Sequence, residues 1–272
     1  MSPLSFDDLC QAFNQAENLH AVSPVIVAPA PTRHPLMSAD AARKAFISTF
    51  SQTGRHLHRR DVFRDFITLA ASELDMACIR TPENIARSRQ ICDRYSAADQ
   101  NNLKALFCQM VCALEGQFHD FLGSVYMALE LGSDSMGQYF TPYHVQALMA
   151  QLILPGCADT IRKEGWLSLS EPCCGSAGMV IAYAECLLNA GFNPSEHLFA
   201  SCIDIDSLAA DMAFIQLSLL GIPAEVVTGN TLSMSFSRVR YTPVYYLNEW
   251  DKKFEFRRRA EAMKKVMEIL VA

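Results

Sequence analysis

Glu171-Pro172-Cys173-Cys174-Gly175-Ser176-Ala177-Gly178-Met179 is the stretch that decides the fold class of this chain. It follows the short apolar segment Trp166–Ser170 and opens an apolar helical stretch, Met179 to Asn189, so it reads as the turn of a strand–turn–helix unit. Small residues let the backbone approach a ligand closely, and the N-terminus of the following helix offers free N–H groups to a carboxylate. Glu171, at the strand end, is an acceptor for an ammonium group. Open α/β sheets bind ligands outside the carboxyl ends of their strands, where such a turn lies.

Two further strand ends follow. Leu198 to Ile203 reads as a second strand and leads into Cys202-Ile203-Asp204-Ile205-Asp206. An acid there, about 30 residues after the glycine turn, is placed to take ribose hydroxyls. Ala224 to Val227 reads as a third strand and leads into Thr228-Gly229-Asn230-Thr231-Leu232, where an amide can both donate to and accept from an adenine edge. Ser207 to Gly221 reads as the helix between them. Strands separated by helices imply parallel βαβ units. Arg238 to Leu247 alternates enough to be a fourth strand, and Asp251 to Val271 reads as a terminal helix.

Upstream the pattern is helical. Ser5 to Leu19 reads as a short helix, and four prolines between Val22 and Pro35 make an extended connector. Ser38 caps a helix that stops at Gly54. Asp61 to Cys78 carries Val62, Phe63, Phe66, Ile67, Ala70 and Leu74 as a buried stripe. Thr81-Pro82 is an N-cap with proline at the first helical position, and Ser96 with Asp99 starts a long run through Leu131 in which Gly116 and Gly123 mark kinks or close packing. Thr141-Pro142 starts a helix that stops at Pro155-Gly156. The expected division is a mainly helical region, residues 1–133, and an α/β region, residues 134–272.

Composition narrows the function classes. Of the 272 residues, 50% are hydrophobic, enough to bury a core, and no window reaches the roughly 18 uninterrupted apolar residues of a membrane span. Asp7 and Asp8 replace the basic start of a signal peptide, so a soluble cytoplasmic protein is the expectation. There are 10 cysteines, without a CxxC pair, most of them in apolar surroundings; they read as reduced, structural residues, and no metal site is expected. The net charge of −6 is unevenly spread. Residues 33–94 hold 11 basic and 7 acidic side chains, residues 106–236 hold 2 and 13, and residues 238–265 hold 9 and 4. The acidic centre repels nucleic acid, while the basic flanks either grip phosphates or are solvated faces.

Met136-Gly137-Gln138-Tyr139-Phe140-Thr141-Pro142-Tyr143 resembles the motif that opens the cofactor site in the modification subunits of type I restriction systems and related adenine-N6 DNA methyltransferases. The turn from Glu171 to Met179 resembles their Asp-Pro-x-x-Gly-Ser-Gly-Gly, and Asp120-Phe121-Leu122-Gly123 resembles the helix that precedes the opening motif. The resemblance covers about His119 to Leu232. It implies a Rossmann-like S-adenosylmethionine-dependent methyltransferase fold, with a truncated sheet preceded by a helical N-terminal region. It implies that Gln138, Tyr139, Phe140, Thr141, Pro142 and Tyr143 fold over S-adenosylmethionine, with Phe140 or Pro142 near its methionine moiety. By the same resemblance Ser176, Ala177 and Gly178 approach that moiety with backbone, Asp204 binds the ribose, Ile205 and Met179 flank the adenine, and Asn230 reads it. Glu171 stands where the family has aspartate, and Ala177 where it has glycine.

The family's fourth strand ends in Asn/Asp-Pro-Pro-Phe/Tyr, which holds the amino group of a flipped-out base and stacks on its ring. The equivalent position here reads Arg240-Tyr241-Thr242-Pro243-Val244-Tyr245-Tyr246-Leu247-Asn248, and the chain's Asn193-Pro194 sits between the first two strands. Tyr245, Tyr246 and Asn248 are the candidates for a substitute catalytic site. Two readings follow: a DNA adenine methyltransferase, or a component of one, with a divergent or externally supplied catalytic strand; and a catalytically inactive derivative that binds cofactor and regulates or decoys a restriction system. DNA at the basic flanks, and a second copy or a partner subunit at the C-terminal strand and helix, are the expected partners.

Overall fold

The computed structural model describes residues 37–76, 81–115, 117–131 and 140–271, all within the unit Pro35–Ala272. The helix expected at Ser5–Leu19, the proline-rich connector after it, and Gln138 and Tyr139 lie outside the described residues.

The described chain opens with helices α1 (Ala39–Gln52), α2 (Arg59–Met76), α3 (Pro82–Cys92), α4 (Ala97–Leu114) and α5 (Phe121–Ala128). The caps read from the sequence form. Ser38 Oγ accepts from Ala41 N, Thr81 Oγ1 from Asn84 N and Ser96 Oγ from Asp99 N, each satisfying a donor that the first helical turn leaves free. The stripe on α2 is buried from Val62 to Ala70 and partly buried at Leu74, with Phe66 edge-on to Phe46 at 5.5 Å, and Phe46 in turn edge-on to Phe121 of α5 at 5.3 Å. The continuous run expected from Ser96 to Leu131 is two helices. The first, α4, stops at Leu114, and Asp120 starts the second: its buried carboxylate caps α5 by accepting from Gly123 N at 2.9 Å. Apolar periodicity runs across that break and conceals it.

Then come α6 (Tyr143–Ile153), α7 (Cys157–Glu164), β1 (Leu167–Glu171), α8 (Gly178–Asn189), α9 (Pro194–His197), β2 (Leu198–Asp204), α10 (Ser207–Leu219), β3 (Ala224–Asn230), β4 (Ser235–Tyr241), α11 (Pro243–Leu247) and α12 (Trp250–Val271). The sheet order is β1-β2-β3-β4, with β1, β2 and β3 parallel, as βαβ units require. Asp206, rather than Ser207, caps α10, its Oδ1 accepting from Leu208 N. α10 is buried on nearly every side, because one face packs on β2 and β3 and the other on α2. That explains why its sequence shows no apolar stripe.

The fourth strand corrects the sequence reading. It spans Ser235–Tyr241 instead of Arg238–Leu247, and it pairs antiparallel with β3. Arg238 and Arg240 both reach the Asp211 carboxylate on α10, and the Arg240 guanidinium lies 4.2 Å over the Phe214 ring, so the strand is held on the β3 edge. Thr242 then latches its end to the start of β3: Oγ1 accepts from Ala224 N and donates to Ile222 O, both at 2.9 Å. Pro243 takes the first position of α11, so Tyr245 and Tyr246 are helical and no strand edge exists at Val244–Leu247.

The largest core cluster is continuous from α1 to β3. A smaller one, Trp166, Phe199 and Trp250 with Tyr245 and Phe254, seats the start of α12 on the sheet. No described helix is long and apolar enough to cross a membrane.

Candidate functional site

The carboxyl ends of β1 and β2 and the start of α8 border a cleft of about 420 Å³, within the range of small-molecule sites. Among the residues foreseen from sequence, Phe140, Thr141, Glu171, Ser176, Gly178, Met179 and Asp204 line it, as do Cys173, Cys174 and Gly175 of the same turn.

The glycine turn is tied down from four directions. Cys174 N donates to Ile203 O at 2.9 Å, and Gly175 N donates to Asp204 Oδ2 at 2.8 Å, so the end of β2 holds it. Thr231 Oγ1, just beyond β3, donates to Pro172 O at 2.7 Å. Ser176 Oγ donates to Asp120 Oδ2 at 2.7 Å, linking it to α5. Gln216 of α10 completes the set: Nε2 donates to Asp120 Oδ1 and to Ser176 O, while Oε1 accepts from Leu122 N. Buried polar groups so fully paired fix a unique geometry. Sequence reading missed Gln216 and Thr231. The signal for Gln216 was present, since it is the amide inside the otherwise apolar stretch Met212–Leu217.

Two glycines of the turn are closely approached by side chains. Gly175 has φ +54, and a Cβ there would lie 2.9 Å from Phe140 Cε1. A Cβ on Gly178 would lie 2.3 Å from Gln146 Oε1. Ala177 also has a positive φ, +68, in which an L-residue carries strain.

Electrostatics follow burial. Desolvation raises the Asp120 carboxyl above its ordinary range even though Gln216, Ser176 and Gly123 all hydrogen-bond it. Burial also raises Asp204, against the backbone N–H groups of Asp206 and Gly175. Both Asp204 oxygens accept from backbone, yet a carboxylate has about four lone-pair sites, so capacity remains for a ligand.

Other foreseen residues fall elsewhere. Tyr143 OH donates to Glu185 Oε2 at 2.7 Å, between α6 and α8, and Pro142 caps α6. Ala177 is fully buried behind the turn. Ile205 is 70% exposed beside the cleft. Asn230 Oδ1 accepts from Leu232 N and Ser233 N, closing a turn after β3. Tyr245, Tyr246 and Asn248 stand at the opposite end of the sheet: Tyr245 stacks on Tyr241, which pairs with Glu225 near the start of β3, and Asn248 Nδ2 donates to Ser195 O ahead of β2. The fold does not bring these three to the cleft. Asn193-Pro194 caps and opens α9.

Residues 118–256, just over half of the chain, match the family model described as N-6 DNA Methylase. Among solved structures, the chain is similar to a candidate class I S-adenosylmethionine-dependent methyltransferase from Listeria monocytogenes, with 16% identity and a TM-score of 0.43 over 70% of this chain and 54% of that one. It is also similar to the methyltransferase subunit of a type I restriction-modification system from Streptococcus thermophilus, with 14% identity and a TM-score of 0.36 over 69% and 57%. The chain therefore spans little more than half the length of either. No curated protein matches it.

The matched family implies S-adenosylmethionine as the cofactor, and the cleft suits that molecule. Carboxylates at two strand ends offer acceptors for ammonium and hydroxyl groups. The start of α8 has no side-chain cap and offers N–H donors, and the bare Gly175 and Gly178 let Phe140 and Gln146 close in on the same cleft.

Proposed function

The chain belongs to the N-6 DNA methylase family, and from that premise we propose that residues 134–272 hold S-adenosylmethionine for methyl transfer to the N6 amino group of adenine in DNA. The observation that carries this reading is the fourfold-tethered glycine turn beside Asp204, inside the matched region. In this reading Asp204 takes the ribose hydroxyls. Met179 and Ile205 flank the adenine ring, and Asn230, whose Oδ1 is engaged by the turn after β3, offers its Nδ2 to the ring edge. Glu171 and the backbone of Ser176, Ala177 and Gly178 face the methionine moiety, under Phe140, Thr141 and Pro142. The described helices α1 to α5 serve as the platform whose Asp120 sets the turn. Calorimetry with S-adenosylhomocysteine tests the reading: binding in the micromolar range supports it, and none at millimolar ligand rejects it.

A second reading, that the chain binds cofactor without transferring methyl groups by itself, is favoured by the placement of Tyr245, Tyr246 and Asn248 far from the cleft. Labelled cofactor, duplex DNA and mass spectrometry of the digested DNA decide between them, with Gly178→Arg as the inactive control. N6-methyladenine above that control establishes the first reading for the isolated chain.

Partners follow from α12. From residue 258 to residue 269 its side chains are exposed, and Phe256, Met263 and Met267 form an apolar row spaced for a helical seam, with Arg257, Arg259 and Lys264 alongside. We assign this row to association with a second copy or a partner subunit, and the cationic flanks to DNA phosphates. The free thiols among the described cysteines accord with a reducing, cytoplasmic setting.

A further inference from the structure

One polar side chain in the cleft has work left to do. Gln146, on the first turn of α6, is only 4% exposed, and its Oε1 has no hydrogen-bond partner among the described residues. Buried amides are normally paired, and an unpaired one is costly to keep. The side chain lines the cleft together with Phe140, Thr141 and Met149. Its amide lies directly over the start of α8: a Cβ added to Gly178 would sit 2.3 Å from Oε1 and 2.5 Å from Nε2. Only glycine at 178 admits the amide there. The helix it covers begins without a side-chain cap, which leaves N–H groups of its first turn without a side-chain acceptor, and its first residues Gly178 and Met179 line the cleft. Donors from a helix start, an amide that both donates and accepts, and the Glu171 carboxylate thus border one volume.

An α-amino acid end-group is a zwitterion and needs both signs of partner within a few ångströms. We propose that Gln146 turns its buried amide toward the cleft and clamps the amino-acid end of the cofactor, its Oε1 accepting from the ammonium alongside Glu171 and its Nε2 donating to the carboxylate alongside the start of α8. The unpaired oxygen is then the vacant half of a binding contact, and Gly178 is glycine to make room for it. This inference rests on the reading of the cleft as an S-adenosylmethionine site and adds to it a residue outside the opening motif and the glycine turn. It also makes the site selective for ligands that carry the amino-acid chain over bare nucleosides.

The test uses two ligands that differ at that end, S-adenosylhomocysteine and 5′-methylthioadenosine, titrated by calorimetry into the full chain and into Gln146→Leu. The variant should lose roughly ten- to hundred-fold in affinity for S-adenosylhomocysteine, the size of a lost hydrogen bond to a charged group, and keep its affinity for methylthioadenosine within about twofold. Without ligand it should melt no lower than the unaltered chain, because an unpaired buried amide has been replaced by an apolar group of similar size. Gln146→Met serves if the leucine variant does not fold. Unchanged binding of S-adenosylhomocysteine overturns the proposal, and so does an equal loss for both ligands, which marks Gln146 as a shaper of the cleft. If the unaltered chain binds neither ligand, the cofactor reading falls and this inference falls with it.

Discussion

Ser176 Oγ donates to Asp120 Oδ2 at 2.7 Å, a bond that joins the glycine turn to the cap of α5 across 56 residues of chain. Asp120 also accepts from Gly123 N and Gln216 Nε2, so three donors converge on one buried carboxylate. Asp120→Ala strands all three. Each buried donor left unpaired costs about 1–3 kcal/mol, and partial relaxation brings the expected loss to about 2–4 kcal/mol. Urea denaturation should show the unfolding free energy falling by that amount, and a loss below about 1 kcal/mol rules out the tethering role.

Asp120 also gives stability a pH dependence with a definite sign. Burial raises its folded-state pKa above the ordinary 3.8, so between the two values the folded chain holds more protons than the unfolded one. That contribution is fully present below the unfolded value and is lost as pH rises through the folded one. Asp120→Asn keeps the shape and removes the titration. The stability of the variant relative to the unaltered chain should therefore rise as pH increases from about 4 toward neutrality. Parallel denaturation series at several pH values measure it, and a flat or falling difference contradicts the assignment.

Asp204 both holds the turn and is assigned the ribose. Asp204→Ala should weaken S-adenosylhomocysteine binding by about 1.5–3 kcal/mol, and it should also lower stability, since Gly175 N and Asp206 N lose their acceptor. Calorimetry and thermal melting read the two effects separately. Normal affinity in a folded variant would remove Asp204 from the site.

Ala177 stands at φ +68, where a Cβ costs about 1–2 kcal/mol. Glycine gives back a few tenths to about 1 kcal/mol of that through its freer unfolded chain. Ala177→Gly should thus stabilise the protein by up to about 1 kcal/mol, seen as a higher melting temperature. A lower melting temperature would mean that the buried methyl contributes more by packing than it costs in strain.

α12 makes a prediction about assembly. Trp250 and Phe254 pack on the sheet, but Met263 and Met267 are 62% and 54% exposed. Met263→Glu with Met267→Glu should leave the fold intact and abolish association. Light scattering behind a sizing column, at tens of micromolar, compares the two chains. An unaltered chain that is strictly monomeric defeats self-association and leaves a different subunit as the partner.

The sequence by itself determined the elements whose causes are local. Caps at Ser38, Thr81 and Ser96 mark helix starts because a short side chain bonds a donor two or three residues on. The parallel strands and the turn between Glu171 and Met179 were legible because small residues and strand–helix alternation are written along the chain. Tertiary structure alone decided what depends on partners far away. Asp120 starts a new helix within a run that periodicity carries straight through, and Ser176 and Gln216 hold it there from 56 and 96 residues on. β4 turns antiparallel and stops at Tyr241 because Asp211 and the Ala224–Thr242 latch hold it, and this carries the tyrosines away from the cleft. Gln146 reads in sequence as an ordinary polar helix residue; only its approach to Gly178 turns it into a buried amide with an open valence. Hydrogen bonds and burial between distant segments have no period and no fixed spacing, so the linear pattern carries no trace of them until the chain has folded.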